Sequence, residues 1–224
     1  MAFDGIFFDL DGTLWDAIDN IISAWQSVCA KEGENRFSSR EGIRGLMGMT
    51  CEEIRAEFRR AFGGRGETLY LACIEKENAL VRDKGGYIYE GVAEMLKELS
   101  NEHFLAIVSN CQEGYIESFL DYSGFGGYFG DFLAQGTTHL PKGENIRLVA
   151  ERNGLKRVLY LGDTVRDEEA ARMAGCSFVH AGYGFGAAKQ PDAVIRSPAE
   201  LPALVKQGSL TGAKDGTDAG HCPQ

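Results

Sequence analysis

Short apolar runs alternate with helically patterned segments along most of this chain, and that alternation narrows the fold more than any other feature. The runs are Phe3 to Asp9, "FLAIVSN" (Phe104 to Asn110), "YFGDFLAQG", "RVLYLGD" (Arg157 to Asp163) and "CSFVHAG". Between them, Val92, Met95, Leu96 and Leu99 recur at helical spacing, as do Tyr115, Ile116, Phe119 and Leu120, then Ile146 and Val149. "RDEEAARMAG" predicts a further helix, with Gly175 as its left-handed stop. Strands that alternate with helices pair in parallel and are covered on both faces, which makes the chain an α/β protein. In such a sheet, ligands gather at the carboxyl ends of the strands. The polar residues that close these apolar runs are therefore the first candidates for chemistry.

Residues 16–86 break the rhythm and read as helical throughout. Ile18, Ile21, Ile22, Trp25, Val28 and Cys29 form one apolar stripe. Thr50 and Glu53 have the spacing of a capping box ahead of "IRAEFRRAF", and a further helix is expected over Glu67 to Arg82. An all-helical insert after the first strand has the makings of a lid, with a purely structural helical decoration as the plainer alternative; its hinges would be Leu14 to Asp16 and Asp83 to Tyr87, where Gly85 and Gly86 supply freedom. The expected organisation is an α/β core from residues 1–15 and 87–207, a helical cap at 16–86, and a flexible tail at 208–224. The tail is rich in glycine and polar residues, and its His221 and Cys222 are too few to read as a metal site.

"FFDLDGTLWD" ends its apolar run in two aspartates, Asp9 and Asp11. Strand residues two apart point the same way, so both carboxylates enter the same space and repel each other unless a cation or strong donors intervene. An Asp-Gly turn at Asp11 is the plain alternative. A second strand tip, "LGDTVRDEEA", carries Asp163 and, four residues on, Asp167 in the first turn of the next helix, where capping alone would explain an acid. Acids facing each other from two strand tips form an all-oxygen site of the kind Mg²⁺ prefers. "IVSN" ends in Ser109 and Asn110, small donors suited to phosphate oxygens, and Lys142 sits just before a helix, where it would neutralise a phosphate. Taken singly, Ser109-Asn110 reads as an N-cap and Lys142 as a surface lysine; four such tips in one chain are harder to explain by coincidence.

The order "DLDGT", "SN", a lysine, then "GDTVRD" resembles the haloacid dehalogenase-like superfamily. The likeness is to its phosphoglycolate phosphatase-like and β-phosphoglucomutase-like branch with a helical C1 cap, and it spans essentially residues 1–207. The resemblance implies a Rossmann-like sheet in the order 5-4-1-2-3 and a cap that closes over the site. It implies Asp9 as the nucleophile that forms an aspartyl-phosphate, and Asp11 as the general acid and base. It also implies Mg²⁺ held by the side chains of Asp9 and Asp163 and by the backbone carbonyl of Asp11. Thr13, Ser109, Asn110 and Lys142 would hold the phosphoryl group, and Asp167 would orient water at the cation or Lys142. Dehalogenases of the superfamily lack an acid at the position of Asp11, because a halide leaves without a proton; Asp11 therefore points to phosphoryl transfer.

The expected activity is Mg²⁺-dependent hydrolysis of a small phosphorylated metabolite. A phosphomutase of the β-phosphoglucomutase type and a non-catalytic phosphate-binding protein are the alternatives. Arg44, in the loop "RGLMGMT" between cap helices, is a candidate for gripping a second anionic group on the substrate, with a solvent-facing arginine as the simpler reading. "GYGFG" after the last apolar run either lines the entrance or is a glycine-rich turn, and Cys111 has a packing role. The net charge of −10 supplies no cationic footprint for nucleic acid or an anionic membrane. Six scattered cysteines, no signal-peptide pattern and no run of about 18 apolar residues predict a reduced, cytoplasmic protein.

Overall fold

The structure is a computed structural model that describes residues 3–30, 37, 39–208 and 210. The expected tail, with His221 and Cys222, lies almost wholly outside the described residues. In chain order, β1 (Gly5–Phe8) and the two-residue β2 (Trp15–Asp16) lead into four helices, α1 (Ile18–Cys29), α2 (Arg40–Arg44), α3 (Cys51–Phe62) and α4 (Gly66–Lys84). The two-residue β3 (Tyr87–Ile88) then returns the chain to α5 (Val92–Leu99), β4 (Phe104–Ser109), α6 (Tyr115–Ser123) and β5 (Asp131–Ala134). The remainder is α7 (Gln135–Thr138), α8 (Lys142–Arg152), β6 (Val158–Gly162), α9 (Val165–Met173), β7 (Ser177–Ala181), β8 (Ala193–Ile195) and α10 (Leu201–Gln207). Among the described residues, no helix is long and apolar enough to cross a membrane.

Six strands form one parallel sheet in the order β5-β4-β1-β6-β7-β8. The five strands β5-β4-β1-β6-β7 reproduce the expected order, read from the other edge; β8 extends the sheet beyond it. Central β1 pairs on both sides, Ile6 with Leu105 and with Leu159, and all four of its residues are buried. Its side chains alternate between two cores, as strand geometry requires. Ile6 and Phe8 join one core with Leu105, Ile107 and Leu161, and Phe7 joins the other with Val108, Tyr160 and Phe178. Helices α5, α6 and α10 cover the first face through Met95, Phe119 and Val205, while α8 and α9 cover the second through Ile146, Val149 and Ala171. Both faces are dry, so the strands are continuous apolar runs and not alternating ones.

Helices α1 to α4 pack on one another around Trp25, Phe58 and Tyr70, with Phe37 stacked near Phe58 at 4.2 Å between ring centres. The apolar face of this insert is continuous with the first core. Thr50 caps α3 as its sequence indicates: its hydroxyl accepts from the Glu53 amide and the Glu53 carboxylate accepts from the Thr50 amide. The chain enters and leaves the insert through one antiparallel pair, Trp15 with Ile88 and Asp16 with Tyr87. Gly85 has φ +68° and lies against the Tyr122 ring, so a side chain there is barred by both conformation and space. The five described cysteines form no disulfide with one another.

Candidate active site

The site grows from the tip of β1. After Phe8 the strand ends in Asp9, which is 4% exposed, and the chain turns at Gly12, whose φ of +81° suits glycine. The Leu10 carbonyl accepts from the amides of Thr13 and Leu14 and holds that turn. Lys142 Nζ donates to Asp9 Oδ1 at 2.9 Å and to Asp167 Oδ1 at 2.6 Å, and all three side chains are nearly inaccessible. Lys142 is the first residue of α8, so its ammonium reaches the strand tip from within the first helical turn. Asp167 Oδ2 accepts from the amide and hydroxyl of Thr164, closing a capping box at the start of α9. One carboxylate thus both caps a helix and aims a lysine.

Asp163, at the tip of β6, is fully buried between two glycines. A Cβ on Gly12 would come within 2.3 Å of its Oδ2, and one on Gly184 within 2.4 Å of its Cβ. The "GYGFG" segment therefore buttresses this acid: Phe185 donates its amide to Asp163 Oδ2 at 2.7 Å, and the Tyr183 hydroxyl donates to the Thr13 carbonyl at 2.9 Å. His180 Nε2 donates to the Asp163 carbonyl at 3.0 Å. Asp163 Oδ1 is buried with no partner. Carboxylate oxygens of Asp9, Asp163 and Asp167 all lie within 4.8 Å of one another. Three acids and one ammonium leave a surplus of negative charge in a dry place, and a hard divalent cation suits that donor set.

Electrostatics agree with that surplus. Burial, then Asp167 and Asp9, push the Asp163 carboxyl up to about 8. Burial, then Asp167, raise Asp9 above the usual carboxylate range, and Lys142 works in the opposite direction. For Lys142, burial opposes the charge, but Asp167 and Asp9 outweigh it and hold the ammonium well above its ordinary value. The Asp11 carboxyl also lies well above its ordinary value, chiefly through burial, although the Tyr115 hydroxyl donates to its Oδ1 at 2.8 Å and favours the charged form.

A cavity of about 60 Å³ opens over this floor. Asp9, Asp11, Ser109, Asn110 and Lys142 line it from the strand ends, and Ile21, Trp25, Met47, Tyr70 and Glu77 line it from the insert. Asn110 Nδ2 donates to the Gly48 carbonyl of the insert at 2.9 Å, while its buried Oδ1 has no partner. The sequence motifs therefore converge, with departures at Thr13 and Arg44. Asp167 completes the side-chain acid cluster with Asp9 and Asp163, and the Asp11 carboxyl turns to Tyr115. Thr13 is fully buried with an unpartnered Oγ1 and does not line the cavity. Arg44 is not brought to the cavity either: it is exposed, donates to the Phe185 carbonyl at 2.8 Å and lies over the Phe185 ring.

Sequence reasoning missed Glu77, Trp25, Gln112 and Tyr115. Glu77 did carry a signal, because it falls on the buried face of α4 with Tyr70, Cys73 and Val81, where an acid does not belong without a purpose.

The model of the family described as haloacid dehalogenase-like hydrolase matches residues 6–181. The chain is 30% identical to phosphoglycolate phosphatase 1 of Pseudomonas aeruginosa over 225 aligned positions, covering 91% of this chain and 80% of the relative. It is 27% identical to phosphoglycolate phosphatase of Synechococcus elongatus, over 90% and 97% of the two chains. Among solved structures, a variant of CbbY from Rhodobacter sphaeroides in complex with xylulose-(1,5)bisphosphate superposes with a TM-score of 0.74 at 22% identity, over 89% of this chain and 96% of that one. A haloacid dehalogenase-like family protein from Streptococcus pneumoniae gives 0.72 at 21%, over 90% and 98%. The chain belongs to the haloacid dehalogenase-like hydrolase family and is a phosphoric monoester hydrolase.

Proposed function

We propose that this enzyme hydrolyses a small phosphomonoester in two displacements at Asp9, with a divalent cation, Mg²⁺, as cofactor. The observation that carries the reading is the buried Asp9 carboxylate at the tip of β1, held by Lys142 and facing a cavity that Asp11 also lines. An Asp9 oxygen attacks phosphorus, the bond to the alcohol oxygen breaks, and the leaving oxygen takes the electron pair and a proton from Asp11. Burial raises the Asp11 carboxyl and equips it to carry that proton, while the Tyr115 hydroxyl steadies the carboxylate left once the proton is given. Asp11, now ionised, takes a proton from water as the water oxygen attacks phosphorus, releasing inorganic phosphate and the free Asp9 carboxylate.

Lys142 neutralises charge on the phosphoryl oxygens, and Ser109 and Asn110, which line the cavity, offer donors to them. The Asp9 and Asp163 carboxylates, with the Asp11 carbonyl, would hold the cation; the buried, unpartnered Oδ1 of Asp163 fits that role. When bound, the cation offsets the negative charge shared by nucleophile and phosphate. Asp167 acts on Lys142, which it holds at 2.6 Å.

In this reading residues 1–15 and 87–207 are the core and residues 16–86 a cap, joined by the β2–β3 pair, and opening of the cap admits substrate. The names of the relatives make phosphoglycolate one of the candidates to try. The test is phosphate release from a panel of phosphorylated metabolites with Mg²⁺, before and after EDTA. Turnover that persists undiminished in EDTA would contradict the cofactor, and release by Asp9→Asn at wild-type rate would remove the nucleophile.

A further inference from the structure

The part of the cavity that receives the leaving group is built by the insert, and its charge is one-sided. Glu77, 4% exposed, projects from α4 into the cavity lining. Its Oε2 accepts from Trp25 Nε1 at 2.5 Å and its Oε1 from Gln112 Nε2 at 2.9 Å, which fixes the carboxyl in place. Ile21, Leu46, Ile54 and Ile74 line the same space and offer no donor to an anion. Among the described residues, Lys142 is the one cation lining the cavity, and it is committed to Asp9 and Asp167.

Nearby arginines face elsewhere. Arg44 is bound to the Phe185 carbonyl, Arg166 to Glu53, and Arg55 stacks over the Tyr70 ring while paired with Glu52 and Glu67. A carboxylate on the leaving group would join Asp9 and Glu77 in a desolvated cavity with no counter-charge at its own end. A hydroxyl or an ammonium would instead meet the carboxyl of Glu77.

We propose that the enzyme selects phosphomonoesters whose alcohol is uncharged or cationic and presents a hydrogen-bond donor to Glu77, and rejects those bearing a second anionic group. This rests on the phosphatase reading above and names its substrate class. Glu77 is here a specificity-determining residue, and it takes no part in bond making.

Three substrates of near-equal size isolate the charge: 2-phosphoglycolate, 2-hydroxyethyl phosphate and phosphoethanolamine, whose leaving groups are negative, neutral and positive. With Mg²⁺ present at about pH 8.5, where Glu77 is ionised, kcat/KM for the last two should exceed that for phosphoglycolate by roughly tenfold or more. In Glu77→Gln, which keeps shape and removes charge, the gap should narrow by a similar factor, mainly through KM for phosphoglycolate. Equal or better turnover of phosphoglycolate by the native enzyme overturns the proposal, with no variant needed. A Glu77→Gln enzyme that is folded by circular dichroism yet keeps the native ratios also overturns it. Failure to release phosphate from all three and from p-nitrophenyl phosphate would instead strike the phosphatase reading itself.

Discussion

The Nζ of Lys142 lies 2.9 Å from Oδ1 of Asp9, with both side chains shut off from solvent. The ammonium is the nearest compensation for a carboxylate that must stay ionised to attack phosphorus. Removing one partner of a buried pair leaves the other unpaired, at a cost of about 3–5 kcal/mol. Lys142→Met should therefore lower kcat by at least about 100-fold, as loss of a group that stabilises transition-state charge does. It should also lower the urea midpoint. A variant that keeps the native kcat would free Lys142 from any part in charge compensation.

Asp9→Asn makes a different prediction. Asp9 is raised by burial and by repulsion from Asp167, so deleting its charge relieves strain while retaining the shape and one acceptor for Lys142. Activity should fall to background while the melting temperature stays level or rises. A melting temperature several degrees lower would mean that Asp9 is held for stability.

Thr164 connects helix capping to the site. Its hydroxyl donates to Asp167 Oδ2 at 2.6 Å, and the opposite oxygen of Asp167 holds Lys142. Thr164→Ala should cost about 1 kcal/mol in stability, as loss of an N-cap does. It should also reduce kcat more than KM, because Lys142 loses its aim; a stability loss with native kinetics would confine Thr164 to capping.

The strand-tip acids were legible because short runs such as "GIFF" and "VLYLG" have only one good burial, and the polar residues just past them must emerge at the sheet edge. Local chemistry was equally readable where it closes within four residues, as at Thr50 with Glu53 and at Asp167, which falls in the first turn of α9. The edge strand β8 was not, because it has three residues and its Val194 is 53% exposed, so no buried pattern exists to detect. Nor was the role of Gly184, which depends on Asp163 standing where its Cβ would be. Arg44 shows another limit. Its exposure matches the simpler sequence reading, but it ends α2 where a loop was expected, and the fold places the Phe185 carbonyl within its reach. Such pairings join residues far apart in sequence, and composition and periodicity do not encode them.

Glu77 gives the chain a pH dependence that can be isolated. Burial, against the bonds from Gln112 and Trp25, pushes its carboxyl from 4.5 up to about 7. Below pH 4.5 it is neutral whether the chain is folded or not, and its contribution to stability is fully present. Between those values the unfolded chain gives up the proton and the folded chain keeps it, so stability falls as pH rises through the window and levels off above about 7. The loss is on the order of 3 kcal/mol, from about 1.4 kcal/mol for each pH unit. Glu77→Gln has no proton to lose, so urea unfolding of the two proteins at about pH 5 and about pH 7.5 subtracts every other titrating group. The variant should gain on the native protein by about 2 kcal/mol between the two pH values, since part of the loss falls below about pH 5. Parallel stability curves would mean that Glu77 ionises as readily in the folded protein as in the unfolded chain.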